Sequence, residues 1–298
     1  VARYPNGKTR DAREITMMEK RTLAALAAMT LLALAISACA TAPAHAPDDG
    51  FVWVPGGTFQ MGIEGGGHLG VDGPVRTVTV SGFYMSRFPV TQGQWYDVMG
   101  DRPSWFDGTR DWDDNPVTGV NWRNLPVEQV SWLDAVQFAN RLSVQNGRTP
   151  AYTIAGTQVT WNRNADGYRL PTEAEWEFAA RGGHGSPGNY AFSGGNVASE
   201  VAWYYGNSGR RTHEVGRLRP NALGLYDMSG NVWEWVYDWF GTYPNHAETD
   251  PSGASVGAVR VFRGGGLFDS AVGLGSSFRG RGEPSFRISD LGFRLVRP

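Results

Sequence analysis

Hydrophobic positions recur with a helical period in three stretches of the chain, and a capping signature precedes each one. Thr91-Gln92-Gly93-Gln94 has the Ser/Thr-x-x-Glu/Gln form, in which a hydroxyl and an amide each satisfy an orphan backbone N–H, and Trp95, Val98 and Met99 follow at helical spacing. Thr172-Glu173-Ala174-Glu175 repeats the device ahead of Trp176, Phe178 and Ala179, entered from Arg169-Leu170-Pro171. Ser131-Trp132-Leu133-Asp134 is a looser version that leads into Val136, Phe138, Ala139 and Leu142 and stops near Asn146-Gly147. Glu173, Glu175 and Glu177 read as a cap and a solvated helix start. Short strand candidates lie between: Phe51 to Val54, Thr77 to Val80, Phe83 to Ser86, Val159 to Trp161 and Phe293 to Val296. Three short helices among short strands and long loops predict an irregular α+β fold.

Composition changes the picture in two ways. With 298 residues, 41% apolar, 40 glycines and 12 tryptophans, the chain reads as a loop-rich, aromatic-rich globular protein. Its net charge of −2 leaves no basic surplus to neutralise phosphates, which argues against nucleic acid as a partner. A single cysteine, Cys39, excludes an intramolecular disulfide, a CxxC redox pair and a multi-cysteine zinc site. Its setting is informative. From Met18 a short basic region (Lys20, Arg21) precedes an apolar run from Leu23 to Ile36, then Ile36-Ser37-Ala38-Cys39. This resembles a bacterial lipoprotein signal, which implies a lipid on Cys39. The run is about 14 residues, whereas a spanning helix needs about 20. Residues 1–17 read as an upstream extension, 18–38 as the signal, 39–50 as an Ala/Pro tether and 51–298 as one domain without internal repeats. Removing residues 1–38 moves the net charge to about −5.

Within that domain, Phe51-Val52-Trp53-Val54-Pro55-Gly56-Gly57-Thr58-Phe59-Gln60-Met61-Gly62, Pro126-Val127-Glu128-Gln129-Val130-Ser131-Trp132 and Tyr168-Arg169-Leu170-Pro171-Thr172-Glu173-Ala174-Glu175-Trp176-Glu177 stand in order. Asn221-Ala222-Leu223-Gly224-Leu225-Tyr226-Asp227-Met228-Ser229-Gly230-Asn231-Val232-Trp233-Glu234-Trp235 and the closing Leu291-Gly292-Phe293-Arg294 follow. Together they resemble the formylglycine-generating enzyme (sulfatase-modifying factor) domain family. The resemblance implies a single-domain variant of the C-type lectin fold. It does not imply the family's oxidation chemistry, because the two cysteine positions fall at about Asp269 and Leu274. The five histidines show no ligand spacing, and no triad or paired carboxylates stand out. No catalytic cofactor is therefore expected. The resemblance also implies a structural calcium at Asp227, Gly230, Val232 and Glu234, where hard oxygen ligands sit on a tight turn; the alternative is a turn that these carboxylates merely hydrogen bond.

The tail departs most from the enzyme. Between Gly264 and Gly292 a frame of Arg263, Arg279, Arg281, Arg287 and glycines alternates with an unpatterned set: Leu267, Phe268, Asp269, Ser270, Val272, Gly273, Gly280, Gly282, Ser285, Phe286, Ile288, Ser289 and Asp290. The segment resembles the variable proteins of diversity-generating retroelements, of the lipid-anchored treponemal type. In those proteins randomised NNC codons cannot encode Trp, Gln, Met, Lys or Glu, and residues 264–298 hold only Glu283 of these types, where ordinary composition gives about five. The reading is a lipid-anchored, outer-surface protein that displays residues 264–298 to a protein or cell-surface ligand and meets the membrane through its lipid. The alternatives are a structural envelope lipoprotein of the gliding-motility type and a cryptic enzyme.

Overall fold

The computed structural model describes residues 50–67, 72–185 and 190–298. The expected signal segment and Cys39 lie outside the described residues. The first strands are β1 (Phe51–Val54), β2 (Gly57–Met61), β3 (Arg76–Val80) and β4 (Phe83–Ser86), followed by helices α1 (Gln92–Met99) and α2 (Trp132–Gln145). Then come β5 (Tyr152–Ala155), β6 (Gln158–Trp161), α3 (Glu173–Ala180), the single turn α4 (Ala198–Val201) and β7 (Trp233–Trp239). The chain closes with β8 (Glu248–Thr249), β9 (Arg260–Arg263), β10 (Arg279–Gly282), β11 (Leu291–Phe293) and β12 (Val296–Arg297). All three expected capping boxes form: Thr91 with Gln94, Ser131 with Asp134 and Thr172 with Glu175.

The sheets are small. A four-stranded sheet has the order β10-β9-β7-β11, with β11 parallel to β7, and a three-stranded sheet has the order β1-β4-β12. Another three strands run β2-β3-β8, and β5 pairs with β6. Strand β7 divides two cores. Trp233 and Trp235 face one that holds Trp132, Phe138, Phe262 and Phe293, whereas Val236 faces another with Trp176, Phe178, Val78 and Met85. Strand β7 is not among the strands expected above, although Trp233–Trp239 alternates aromatic residues with Glu234, Val236 and Asp238; that second face is buried as well rather than solvated. Two indoles bridge the layers through main-chain carbonyls: Trp132 Nε1 donates to Val236 O at 2.8 Å, and Trp235 Nε1 to Val130 O at 3.0 Å.

Two sequence expectations need correction. The run Phe293 to Val296 is not one strand. It breaks at Arg294 and Leu295, and its halves join different sheets. Helix α3 does not present solvated glutamates either, because all eight of its residues are buried. Glu173 receives Arg279 Nε at 2.6 Å and Arg263 Nη1 at 3.2 Å, Glu177 receives Arg263 and Arg181, and Glu175 takes Arg169 through two bonds of 2.7 Å. Burial opposes ionisation of Glu173, yet Arg279 and Arg263 outweigh it and hold its pKa below the ordinary carboxylate value. On β7, Glu234 accepts from Arg294 Nε and Nη2, each at 2.7 Å, and from Trp176 Nε1 at 2.7 Å.

The Glu234–Arg294 pair is fully buried. Replacing one partner leaves the other charge without compensation, which costs about 3–5 kcal/mol. We therefore expect Arg294→Met to lower unfolding stability by that amount in urea melts. Arg294→Met combined with Glu234→Gln should regain part of the loss, and equal losses in the single and double variants would contradict the pairing.

Candidate ligand-binding site

Three loops meet beside the start of the tail. The first, residues 104–113, is held from below by two buried polar side chains: Gln92 Nε2 donates to Phe106 O at 2.7 Å, and Phe106 N–H donates to Glu128 Oε1 at 2.9 Å. The second, residues 203–213, is joined to the first by Trp112 N–H donating to Arg210 O at 3.1 Å. The third, residues 266–272, accepts Tyr205 N–H at Asp269 O (3.0 Å) and Ser208 Oγ at Leu267 O (3.0 Å). Phe268 lies edge-on to Trp112 at 5.1 Å between ring centroids and 6.3 Å from Phe106, and Trp105 lies 5.7 Å from Trp112. Trp105 is 44% exposed and Trp112 42%, unusually high for indoles in a chain whose other large rings mostly pack inward.

Carboxylates lie beneath these rings. Glu128 is fully buried, and its Oε2 has no hydrogen-bond partner. Desolvation pushes its pKa up to about 8, opposed by the Phe106 and Trp105 N–H groups and assisted by Asp290. Asp290 is raised to about 7 by burial and then by Asp269. Burial also raises Asp269, although the Gly266 N–H donates to it at 2.8 Å. No arginine or lysine among the described residues forms an ion pair with Glu128, Asp269 or Asp290.

The tail residues expected to form one exposed patch separate by burial. Ser270, Val272, Ser285 and Phe286 are exposed, while Phe268, Asp269 and Ile288 are half-buried. Leu267, Gly273, Ser289 and Asp290 are buried, a correction to the expected surface set. Leu267 sits under the loops with its N–H on Asn231 O, and Asp290 O accepts the Trp233 N–H at 2.7 Å. Gly280 and Gly282 belong to β10 rather than to a variable loop. A Cβ on Gly280 would lie 1.9 Å from the Phe262 ring, which is itself wedged between Trp233 and Trp235, so side-chain exchange there disturbs the core. The exposed positions fall in two segments, one beside the aromatic loops and one at 283–287 against α2, where Arg287 reaches Asp134 at 2.6 Å. Of the expected arginine frame, Arg279 is buried, whereas Arg281 and Arg287 are exposed. Arg263 of the same frame is buried too, as is Arg294.

The calcium position implied by resemblance does not fit this geometry. Glu234 gives both oxygens to Arg294, and Asp227 accepts the Gly216 N–H at 2.8 Å, with its pKa raised to about 6 chiefly by burial. Gly230 supplies the turn, with φ of 78° and a Cβ that would meet Trp203 O at 2.3 Å. No group of three His, Cys, Asp or Glu side chains among the described residues is placed to hold a metal ion. At the positions where the resemblance puts the enzyme's cysteines stand the Asp269 carboxylate and Leu274, which clusters with Val201 and Ala202.

Residues 37–298 match the model of the sulfatase-modifying factor enzyme 1-like domain. The chain belongs to that family. It is similar to Treponema denticola variable protein 1, with 34% identity, a TM-score of 0.74 and coverage of 83% of this chain and 95% of that one. It is also 35% identical over 294 residues to the chaperone protein LppX of Paenibacillus barcinonensis, across 88% of this chain and 94% of the relative. A formylglycine-generating enzyme of Thermomonospora curvata is 32% identical over 75% of this chain and 85% of its own. The fold is therefore the irregular, loop-rich α+β architecture of this family and of the variable protein, as the motifs implied.

The raised pKa of Glu128 has a direct consequence for stability. A carboxyl whose folded pKa lies near 8, against an ordinary 4.5, contributes stability that is complete below about pH 4.5 and lost as pH rises through 8. We expect the melting temperature of the parent to fall between pH 5 and pH 8. Glu128→Gln, which keeps an acceptor for Phe106 N–H, should fall less and melt above the parent at pH 8. Parallel pH profiles of the two proteins would contradict this.

Proposed function

We propose that this protein is a non-catalytic binding lipoprotein of the bacterial cell envelope, anchored through Cys39 and displayed at the outer membrane surface. In this reading residues 264–298 present a diversified site to a protein or cell-surface ligand. One observation carries it: Ser270, Val272, Ser285 and Phe286 are exposed on loops whose frame is fixed separately by buried Arg263 and Arg279. Rigid backbone under exchangeable side chains lowers the ordering cost of binding. The likeness to the treponemal variable protein and the family match fit a ligand-binding role without catalysis. Neither cysteine position of the enzyme carries a thiol, which removes the nucleophile its chemistry needs. No helix among the described residues is long and apolar enough to cross a membrane; the anchor in this reading is the lipid on Cys39.

A second reading, a chaperone-like or structural envelope component, is favoured by the similarity to the LppX chaperone. The exposed positions discriminate between the two, because a fixed docking role requires a fixed surface. We expect combined Ser270→Ala, Val272→Ala, Ser285→Ala and Phe286→Ala to shift stability by about 1 kcal/mol or less. On cells, the parent should fractionate with membranes and Cys39→Ala should be released. A Cys39→Ala protein that stays with membranes, or a quadruple variant that fails to fold, would overturn the proposal.

A further inference from the structure

We propose that the loops 104–113, 203–213 and 266–272 form a recognition site for an organic cation, an ammonium carrying methyl or methylene groups. The inference rests on the binding role proposed above and names the class of ligand. Its wall is aromatic. Trp105 and Trp112 expose their rings side by side, Phe268 packs edge-on to Trp112, and the exposed Tyr205 is tied by its N–H to Asp269 O. Its rim is acidic: the first loop carries Asp107 and Asp111, whose hydrogen bonds from Thr109 and Asn115 hold their pKa values low, and Asp269 is half-exposed.

The two features select one chemistry. Indole faces attract cations through their negative quadrupole and accommodate methyl groups, whereas the ionised carboxylates of the rim repel anions. Beneath the first loop, Glu128 Oε2 is a buried oxygen without a hydrogen-bond partner. The neighbouring arginines are engaged elsewhere: Arg210 pairs with Asp113 and Arg110 with Asp114. Arg110 lies 5.6 Å over Trp105, so the rim already attracts a guanidinium of the chain itself. A bare metal ion is a poor fit, since the rings offer no oxygen ligands.

The test uses the full chain with two probes of the same shape, choline and its neutral isostere 3,3-dimethylbutan-1-ol, at fixed ionic strength. The readout is the pair of indole resonances assigned to Trp105 and Trp112. We expect choline to shift both saturably, with an affinity about tenfold above that of the isostere. Asp269→Asn, which keeps an acceptor for Gly266 N–H, and Trp112→Ala should each weaken choline binding about fivefold or more with little change in melting temperature. The remote exposed Val256→Ala should leave it unchanged. Phosphatidylcholine vesicles run in parallel distinguish a lipid headgroup, if they bind as well, from a soluble cation; either result supports the site. Equal affinity for the isostere, or an Asp269→Asn variant that binds choline like the parent, overturns the cation assignment while leaving the aromatic loops as a binding surface. If neither probe moves either resonance, the cation site is overturned, and loss of the surface itself is then judged by the quadruple variant.

Discussion

The fold depends on buried ion pairs between a handful of arginines and the glutamates of one short helix and its neighbouring strand. Glu173, Glu175 and Glu177 on α3 and Glu234 on β7 meet Arg263, Arg279, Arg169 and Arg294, all of them buried. Charges taken out of water are costly unless their remaining donors and acceptors are satisfied. Here the surplus guanidinium donors run to main-chain carbonyls: Arg263 to Ser276 and Ser277, and Arg294 to Ser86 and Tyr226. The same arginines that satisfy the helix therefore fix loops distant in sequence. The ion pairs tie the tail to the centre of the domain together with the pairing of β10, β11 and β12 and the packing of Leu291, Phe293 and Val296.

That arrangement explains how one tail serves two purposes. Leu267, Asp290 and the β10 glycines are committed to the core, while short exposed segments between them touch little else. The division is sharper than a simple variable stretch. Exchange at Ser270 or Val272 meets solvent, whereas exchange at Gly280 meets the Phe262 ring. The aromatic wall beside the tail comes from another part of the chain, the loop held by Gln92 and Glu128, so any ligand touches both tail and scaffold.

Much of this was legible in the sequence because local chemistry announces itself locally. The three capping boxes mark helices whose first turns need those side chains, and the strands at Phe51–Val54 and Phe83–Ser86 sit where β-prone runs predict them. The motifs in family order supplied the architecture. What the pattern hid is non-local. Glu173 and Glu177 at a helix start look solvated until arginines 86 to 106 positions away are seen to cover them. The alternating aromatics of β7 give no hint that Glu234 and Asp238 between them are buried, and Arg294 divides the last apolar run between two sheets as its guanidinium turns inward to Glu234. Trp105, Trp112 and Glu128 gave no separate signal, since tryptophan in an aromatic-rich chain reads as core and a lone glutamate as surface.

The buried frame of α3 and β7 carries stability, whereas the loop tips beside it do not. Native-state hydrogen exchange resolved along the chain tests it directly. The account predicts that amides of Glu173–Ala180 and Trp233–Trp239 exchange only through global unfolding, and that amides at 270–272 and 285–287 exchange through local openings of much lower free energy. Protection of those tail amides equal to that of the helix and strand would contradict it.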